Sequence, residues 1–360
     1  MNGKKVVVGM SGGVDSSVAA YLLKEQGYDV VGVTMQIWQK EEEIVEEEHG
    51  GCCGLSAVDD ARRVAEVLGI PYYVMNFQEE FKEKVIDYFI SEYQRGRTPN
   101  PCIACNRYVK WESLLKRSLD IGADFIATGH YAKVIRCDNG RYALHTSATQ
   151  DKDQTYALYN LTQEQLSRTL MPDGDYTKEE IRAIAKKASL PVADKPDSQE
   201  ICFIPDHDYA KYIEESTGKK PVRGNFVTKD GKILGQHEGL THYTVGQRKG
   251  LGIAAGHPVF VTEIRPESNE VVIGEGEDVF SGSLTADHLN WMSVKGLDGK
   301  TVKAVAKIRY KHAGESCSVE EAGEDIVKVT FDAPVRAVTP GQAVVFYTEE
   351  GIVMGGGIIR

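Results

Sequence analysis

Lys4-Lys5-Val6-Val7-Val8-Gly9-Met10-Ser11-Gly12-Gly13-Val14-Asp15-Ser16-Ser17 is the stretch that decides the fold of this chain. The β-branched run Lys4 to Gly9 predicts a strand and Ser16 to Gln26 predicts a helix, so the paired glycines fall on a strand-to-helix turn. Glycines let the backbone approach an anion, successive N–H groups form a nest, and the helix N-terminus adds a favourable dipole. Such a loop is built to hold phosphate. It lacks the Lys of the GxxxxGK[ST] loop that reaches the β and γ phosphates, so removal of the γ-phosphate alone is not favoured. Asp15 suits Mg²⁺ on a pyrophosphate leaving group, with the Ser11 and Ser16 hydroxyls on phosphate oxygens.

Outward from this turn, Val30 to Met35 and Pro71 to Met75 read as further strands, Ser56 to Leu68 as a helix, and Phe125 to Ala127 as a strand entering Thr128-Gly129-His130. Strands alternating with helices predict βαβ units and a parallel sheet covered on both faces. Leu161 to Leu190 has a helical pattern, with Thr177 as N-cap and Glu180 at N3 of a capping box, and Pro191 and Pro196 end it. After Asp206 a short helix, Tyr209 to Glu215, gives way to glycine-rich segments. From Val259 onward short β-branched runs (Val259 to Ile264, Glu270 to Ile273, Val302 to Tyr310, Ile326 to Phe331, Ala343 to Tyr347) are separated by turns such as Asp298-Gly299 and Pro340-Gly341, which predicts a small β-barrel or sandwich. The expected division is an α/β catalytic domain over 1–206, a small central domain over 207–277 and a C-terminal β-barrel over 278–360.

The 360 residues, 41% hydrophobic and 26% charged, are those of an ordinary globular protein. No run of about 18 apolar residues is present, so a membrane partner is not expected and a cytoplasmic location is the default. The formal charge of −11 argues against non-specific nucleic-acid binding through overall charge but leaves room for a local basic groove. The acidic run Glu41 to Glu48 reads as a solvated loop. Seven cysteines in a chain with no secretory signal point to reactive or metal-binding thiols rather than a disulfide framework. Cys102 and Cys105 form CxxC after Thr98-Pro99-Asn100-Pro101, an exposed, non-helical approach, and Cys202 can meet them only through tertiary folding. A sulfur-transfer pair, a three-thiolate metal or iron–sulfur site and plain buried thiols are equally open on spacing alone. Cys52 and Cys53 are vicinal and take no catalytic role, and Cys137 and Cys317 read as buried or half-buried strand residues.

The Ser11-Gly12-Gly13-Val14-Asp15-Ser16 loop resembles the PP-loop family of ATP pyrophosphatases, which implies an adenine nucleotide alpha hydrolase-like fold and cleavage of ATP to AMP and pyrophosphate. Gly51-Cys52-Cys53-Gly54, Gly96 to Asn106 with its Pro-Asn-Pro-Cys-Ile-Ala-Cys-Asn core, Thr128-Gly129-His130-Tyr131, Lys152-Asp153-Gln154, Ser198 to Phe203 and Gly246 to Gly252 are similar to the tRNA-uridine 2-sulfurtransferases, the tRNA-specific 2-thiouridylases. They occur in that family's order over nearly the whole chain. The resemblance implies ATP binding by Gly9, Met10, Ser11, Gly12, Gly13, Val14, Asp15 and Ser16, with the Met35 backbone against adenine and Gly129 against the nucleotide. His130 is then left as a supporting residue. Cys202 would carry a persulfide and Cys105 would be the nucleophile that releases its sulfur by forming a disulfide with it. Many members have Asp where this chain has Cys102, near the target base as a candidate general acid or base. The substitution keeps a cluster ligated by Cys102, Cys105 and Cys202 as the alternative.

The resemblance also implies tRNA contacts at Asn100, Pro101, Cys102, Lys152, Asp153, Gln154, Arg309 and Tyr310, where cations stand beside an aromatic able to stack on a base. Arg248 and Lys249 are further phosphate candidates. The expected reaction is 2-thiolation of the wobble uridine of Lys, Glu and Gln tRNAs, with sulfur delivered by a cysteine desulfurase or relay protein. A PP-loop amidating ligase is disfavoured by the three placed cysteines, and a non-catalytic redox or RNA-binding module would need no pyrophosphate-binding loop.

Overall fold

The computed structural model describes residues 3–37, 55–197, 201–204, 206 and 208–360. The acidic run Glu41 to Glu48 and the pair Cys52 and Cys53 lie outside the described residues.

β1 (Lys5–Gly9), α1 (Val14–Glu25), β2 (Asp29–Gln36), α2 (Leu55–Leu68) and β3 (Tyr72–Asn76) open the chain as two successive βαβ units. There follow α3 (Gln78–Phe81), a π-helical stretch Lys82–Ile86, α4 (Asp87–Gln94), α5 (Pro101–Ala104), a second π-helical stretch Cys105–Leu114 and α6 (Leu115–Asp120). β4 (Phe125–Ala127) leads into a hairpin of β5 (Ala132–Arg136) and β6 (Tyr142–Thr146), then α7 (Gln163–Ser167), β7 (Thr169–Leu170) and α8 (Lys178–Lys187). The sheet order is β3-β2-β1-β4-β7, with every neighbouring pair parallel.

β1 is central because Val6, Val7 and Val8 have no exposed surface. Val7 faces a core with Phe77, Phe81, Phe89 and Trp111, whereas Val6 and Val8 face a second core with α1 and Ile181 of α8. A strand apolar on both sides needs a helical layer on each face, and complete burial of each valine stabilises the fold by about 1.5–2 kcal/mol.

The helical reading of Leu161 to Leu190 holds only in part. Thr169 and Leu170 pair with β4 as the sheet's edge, and Pro172 opens a 3₁₀ turn over Pro172–Asp175. The capping box is present: Thr177 Oγ1 accepts from Glu180 N–H at 3.2 Å, and Glu180 Oε2 accepts from Thr177 N–H at 2.7 Å.

α9 (Tyr209–Thr217) precedes β8 (Gly224–Val227), β9 (Ile233–His237), β10 (Phe260–Arg265) and β11 (Glu270–Gly274), a four-stranded sheet ordered β10-β11-β8-β9. The two β-branched runs from Val259 to Ile273 therefore belong to this sheet and not to the terminal barrel, because β11 pairs in parallel with β8. β12 (Phe280–Trp291), β13 (Val302–Lys307), β14 (Glu315–Gly323), β15 (Ile326–Arg336), β16 (Ala343–Tyr347) and β17 (Val353–Ile359) close into a barrel ordered β12-β15-β14-β13-β16-β17. The barrel docks on the segment before α5: Thr98 N–H donates to Pro340 O at 2.8 Å, and Gln342 Nε2 donates to Thr98 O at 2.8 Å. Among the described residues no helix is long and apolar enough to cross a membrane.

Candidate active site

From β1 the chain crosses first to β2 on one side, and β4 later adds on the other. The carboxyl ends of β1 and β4 thus flank the crevice where an open α/β sheet holds its ligand. Met10 to Gly13 leave β1 there, and Thr128 to His130 leave β4. Gly12 sits at φ +67°, and a Cβ on it would lie 2.3 Å from Ala57 O, so both conformation and space demand glycine. The loop is braced by its own hydroxyls: Ser11 N–H donates to Ser16 Oγ at 3.2 Å, and Ser16 Oγ and Ser17 Oγ donate to Gly13 O at 3.3 and 2.8 Å. Gly13, the N-cap of α1, receives no side-chain cap, so the first turn's N–H groups are left for a ligand. A Cβ on Gly129 would stand 2.5 Å from both Asp15 C and Ser16 N, which brings the two loops into backbone contact. Met35 is half-buried against the core at the end of β2.

Asp15 lies at the centre of an ionic network. Its carboxylate accepts from Lys178 Nζ at 2.7 and 2.9 Å and from Tyr131 Oη at 2.7 Å. Lys178, whose side chain is only 10% exposed, also pairs with Asp197 at 2.7 Å, and Asp197 in turn pairs with Lys152 at 2.9 Å and Arg182 at 3.3 Å. Burial pushes the Asp197 carboxyl up, but hydrogen bonds from Lys178 and Lys152 hold it below the usual carboxylate value. Burial first, and then the Asp15 charge, push the Tyr131 phenol far above its ordinary value. Asp173, in the adjoining turn, is fully buried with both carboxylate oxygens lacking a partner, and burial raises its pKa well above normal.

Asp15 is a hard oxygen donor of the kind that Mg²⁺ accepts alongside substrate phosphates. Among the described residues no group of three or more His, Cys, Asp or Glu is gathered to hold a metal ion. The fit is to an ion carried by a triphosphate. Cys102, Cys105 and Cys202 are all described and form no such group, so their arrangement does not fit a three-thiolate cluster.

The approach to the CxxC pair is less open than its prolines suggest. Pro99 and Pro101 are buried, and Pro101 already begins a helix capped by Asn100, whose Oδ1 accepts from Cys102 N–H at 3.1 Å and Ile103 N–H at 3.3 Å. Cys102 is exposed and Cys105 half-buried. Next to Cys105, buried Asn106 donates to Ala157 O at 2.9 Å, and Trp111 Nε1 donates to Thr169 Oγ1 at 2.7 Å. The π-helical stretch starting at Cys105 is thereby tied to both neighbours, a feature common at functional sites. Cys202 is exposed between Ile201 and Phe203, and both of these pack on the core that Cys105 also joins. Cys317 is buried in β14, as expected of a strand residue, whereas Cys137 is half-buried just past the end of β5, in the turn to β6.

Among the expected RNA contacts, Lys152 keeps a partly exposed side chain. Asp153 is buried and accepts from Ser147 N–H at 3.0 Å and Thr155 Oγ1 at 2.6 Å, and Gln154 Oε1 accepts from Tyr131 N–H at 2.9 Å. These two side chains hold the loop in shape. Arg309 donates to Arg336 O at 2.8 Å, and Tyr310 remains 40% exposed. Burial, then Asp153 and then Cys102 raise the Tyr310 phenol, and its ring packs edge-on against Tyr156 at 6.3 Å. His130 has its Nδ1 2.7 Å from Thr128 Oγ1 and its ring against Trp111, and burial followed by the Lys110 charge keeps it neutral, in a supporting place.

Tyr131, Lys178, Asp173 and Asp197 escaped the sequence reading. One signal was available for Lys178: a cation in the first turn of a helix opposes the dipole, and such a local violation often marks a site.

Comparison with known proteins gives three family-model matches in chain order: a tRNA methyl transferase HUP domain over residues 4–206, a tRNA methyl transferase PRC-barrel domain over 210–275 and an aminomethyltransferase beta-barrel domain over 281–359. The chain is 67% identical over 99% of its length to the tRNA-specific 2-thiouridylase MnmA of Lachnoclostridium phytofermentans, covering 100% of that protein. It is 57% identical to the protein of the same name from Carboxydothermus hydrogenoformans, over 99% of this chain and 98% of that one. The corresponding Clostridium perfringens protein is 58% identical over 100% of this chain and 99% of its own. Among solved structures, a 4-thiouridine synthetase–RNA complex with bound ATP aligns at TM-score 0.33 and 19% identity over 60% of this chain and 50% of that one.

Proposed function

We propose, for a chain that belongs to the tRNA-specific 2-thiouridylases and is a tRNA sulfurtransferase, an ATP-dependent 2-thiolation of the wobble uridine through an O2-adenylated base and a cysteine persulfide. The observation that carries this reading is the pairing of a phosphate-shaped loop at the sheet's switch point with a thiol on the adjoining helix, Cys105, and a second thiol, Cys202, whose neighbours pack on the same core.

The chemistry follows from the leaving group. A carbonyl oxygen departs poorly, so the uridine O2 first attacks the α-phosphate of ATP and expels pyrophosphate, and AMP then becomes the leaving group at C2. The N–H groups of Gly12 to Asp15 bind the phosphates, Gly129 lets the β4 loop close on them, and the Met35 backbone lies against adenine. Asp15 would hold Mg²⁺, which neutralises the pyrophosphate. The base is extruded from its stack toward Asn100, Pro101 and Cys102, with Lys152, Asp153, Gln154, Arg309 and Tyr310 on the tRNA side. Asp153 and Gln154 act there by shaping the loop. Cys202 carries the outer sulfur of a persulfide. That sulfur bonds to C2 as AMP leaves, and Cys105 thiolate then attacks Cys202 Sγ, so that the Cys105–Cys202 disulfide forms as the bond from Cys202 to the outer sulfur breaks and that sulfur departs with the electron pair as 2-thiouridine. The proposed division is 1–206 for catalysis, 207–277 for tRNA binding and 278–360 for the barrel. The substrates are Lys, Glu and Gln tRNAs, and the donor is a cysteine desulfurase or relay protein acting in the cytoplasm.

The test is thiolation of an unmodified tRNA transcript by metal-free protein with ATP and a persulfide donor, alongside iron and sulfide analysis. Cys105→Ala and Cys202→Ala should each abolish 2-thiouridine while retaining tRNA-dependent pyrophosphate release. Activity that tracks bound iron and needs all three cysteines would overturn the persulfide route in favour of a cluster.

A further inference from the structure

Cys102 and Cys105 stand three residues apart on one helical turn, with right-handed backbone at Ala104 (φ −62°, ψ −45°) and Cys105 (φ −59°, ψ −46°). That spacing puts both side chains on one helix face, with Cβ atoms about 5–6 Å apart. A small adjustment brings them to disulfide distance. The Asn100 cap fixes where the turn begins, and the bonds of Asn106 and Trp111 fix the helix beyond it. Cys105 is thus a stationary, half-buried sulfur with an exposed neighbour on its own turn. The third thiol approaches from another part of the chain. Phe203 packs edge-on against Phe81 at 5.7 Å and Phe89 at 5.5 Å, on either side of the Lys82–Ile86 turn against which α5 itself packs. Cys105 therefore has one thiol partner by local geometry and another by tertiary packing. Exchange needs these sulfurs only two at a time, whereas a cluster would need all three at once.

We propose that Cys102 clears the disulfide left by catalysis, a role that rests on the persulfide reading above. Cys102 thiolate attacks Cys105 Sγ in the Cys105–Cys202 disulfide. The Cys102–Cys105 bond forms as the Cys105–Cys202 bond breaks, and Cys202 departs with the electron pair as a thiolate. One disulfide and one thiolate stand on each side, so the step needs no outside oxidant or reductant. It returns Cys202 ready to accept a new persulfide sulfur. It also moves the disulfide into a surface CxxC pair, where an external dithiol reductant attacks exposed Cys102 and releases Cys105 as thiolate.

The experiment takes metal-free full-length protein carrying the persulfide through one turnover with ATP and unmodified tRNA in the absence of reductant. The reaction is then quenched with acid, alkylated and mapped for disulfides by mass spectrometry, normalised to 2-thiouridine formed. In the wild type the Cys102–Cys105 peptide should exceed the Cys105–Cys202 peptide by at least about tenfold, with Cys202 alkylated. In Cys102→Ser the Cys105–Cys202 disulfide should persist. A wild-type protein that keeps Cys105–Cys202 and yields alkylated Cys102 overturns the exchange and leaves the persulfide route standing. Formation of 2-thiouridine with no disulfide in either protein overturns the persulfide route and the exchange with it.

Discussion

Lys178 spans the two carboxylates of the site, donating to Asp15 at 2.7 and 2.9 Å and pairing with Asp197 at 2.7 Å, from the first turn of α8. A cation there opposes the helix dipole by a few tenths of a kcal/mol to about 1 kcal/mol, and the two acids more than offset it. One ammonium thereby ties the phosphate loop to α8 and to the segment that leads towards Cys202.

Lys178→Met should leave Asp15 and Asp197 facing each other without their cation. Loss of one partner from a largely buried pair costs about 3 kcal/mol, measurable by urea denaturation at pH 7. Asp197 has a depressed carboxyl in the folded state, so its contribution is present above its unfolded pKa and lost as pH falls through the folded one. Without Lys178 that carboxyl rises, and the acid limb of the stability curve should move to higher pH. An unchanged acid limb would show that Lys178 does not hold Asp197.

Gly129→Ala places a methyl group 2.5 Å from backbone atoms of Asp15 and Ser16, where no flexible side chain can give way. The phosphate loop must shift, and a misplacement of this order costs about a hundredfold. ATP-dependent pyrophosphate release should fall by about that factor while circular dichroism stays close to wild type. Full retention of release would remove Gly129 from the nucleotide site.

Asp173→Asn replaces a buried carboxyl that has no partner with a neutral group of the same shape. Burial raises the folded-state pKa, so the folded protein keeps its proton after the unfolded chain has lost it, and stability drains away as pH rises above the unfolded value of 3.8. The variant should therefore be more stable than wild type, by a margin that grows as pH rises from 3.8 toward the raised folded-state value in urea titrations. A margin that is flat or shrinking with pH would refute this.

His130 is held neutral, so the unfolded chain takes up a proton below the ordinary value of 6.5 that the folded chain refuses. Stability should fall as pH drops below that value, by up to about 1.4 kcal/mol per pH unit. His130→Gln should lose this component of the slope. Nuclear magnetic resonance should find the wild-type imidazole still neutral at pH 6.

Much of this site was legible because its signals are local. The Ser11 to Ser16 turn follows one β-branched run, and Gly12 is required by its own φ. The Thr177–Glu180 capping box is satisfied within a single turn. The Lys178–Asp15, Tyr131–Asp15 and Asp197–Lys152 contacts join residues far apart in the chain, and no periodicity announces them. β8 was missed because it is only four residues long and opens on Gly224, and its parallel partner β11 begins beyond a long glycine-rich segment. Pro99 and Pro101 look exposed in sequence because proline favours loops, but the docked barrel covers this approach.

Local sequence was enough for the parallel α/β sheet, the phosphate loop on its central strand, the β-rich C-terminal part and the thiols that follow Asn100-Pro101. Each of these depends on backbone preferences and side-chain spacing within one or two turns. Tertiary packing settles what remains: that β11 pairs in parallel with β8 in one sheet, that Asp153 turns inward while the Tyr310 ring packs on Tyr156, and that Lys178 pairs with Asp15. These outcomes depend on which distant surfaces exclude water together, and a charge is partnered only after that burial has chosen its neighbours.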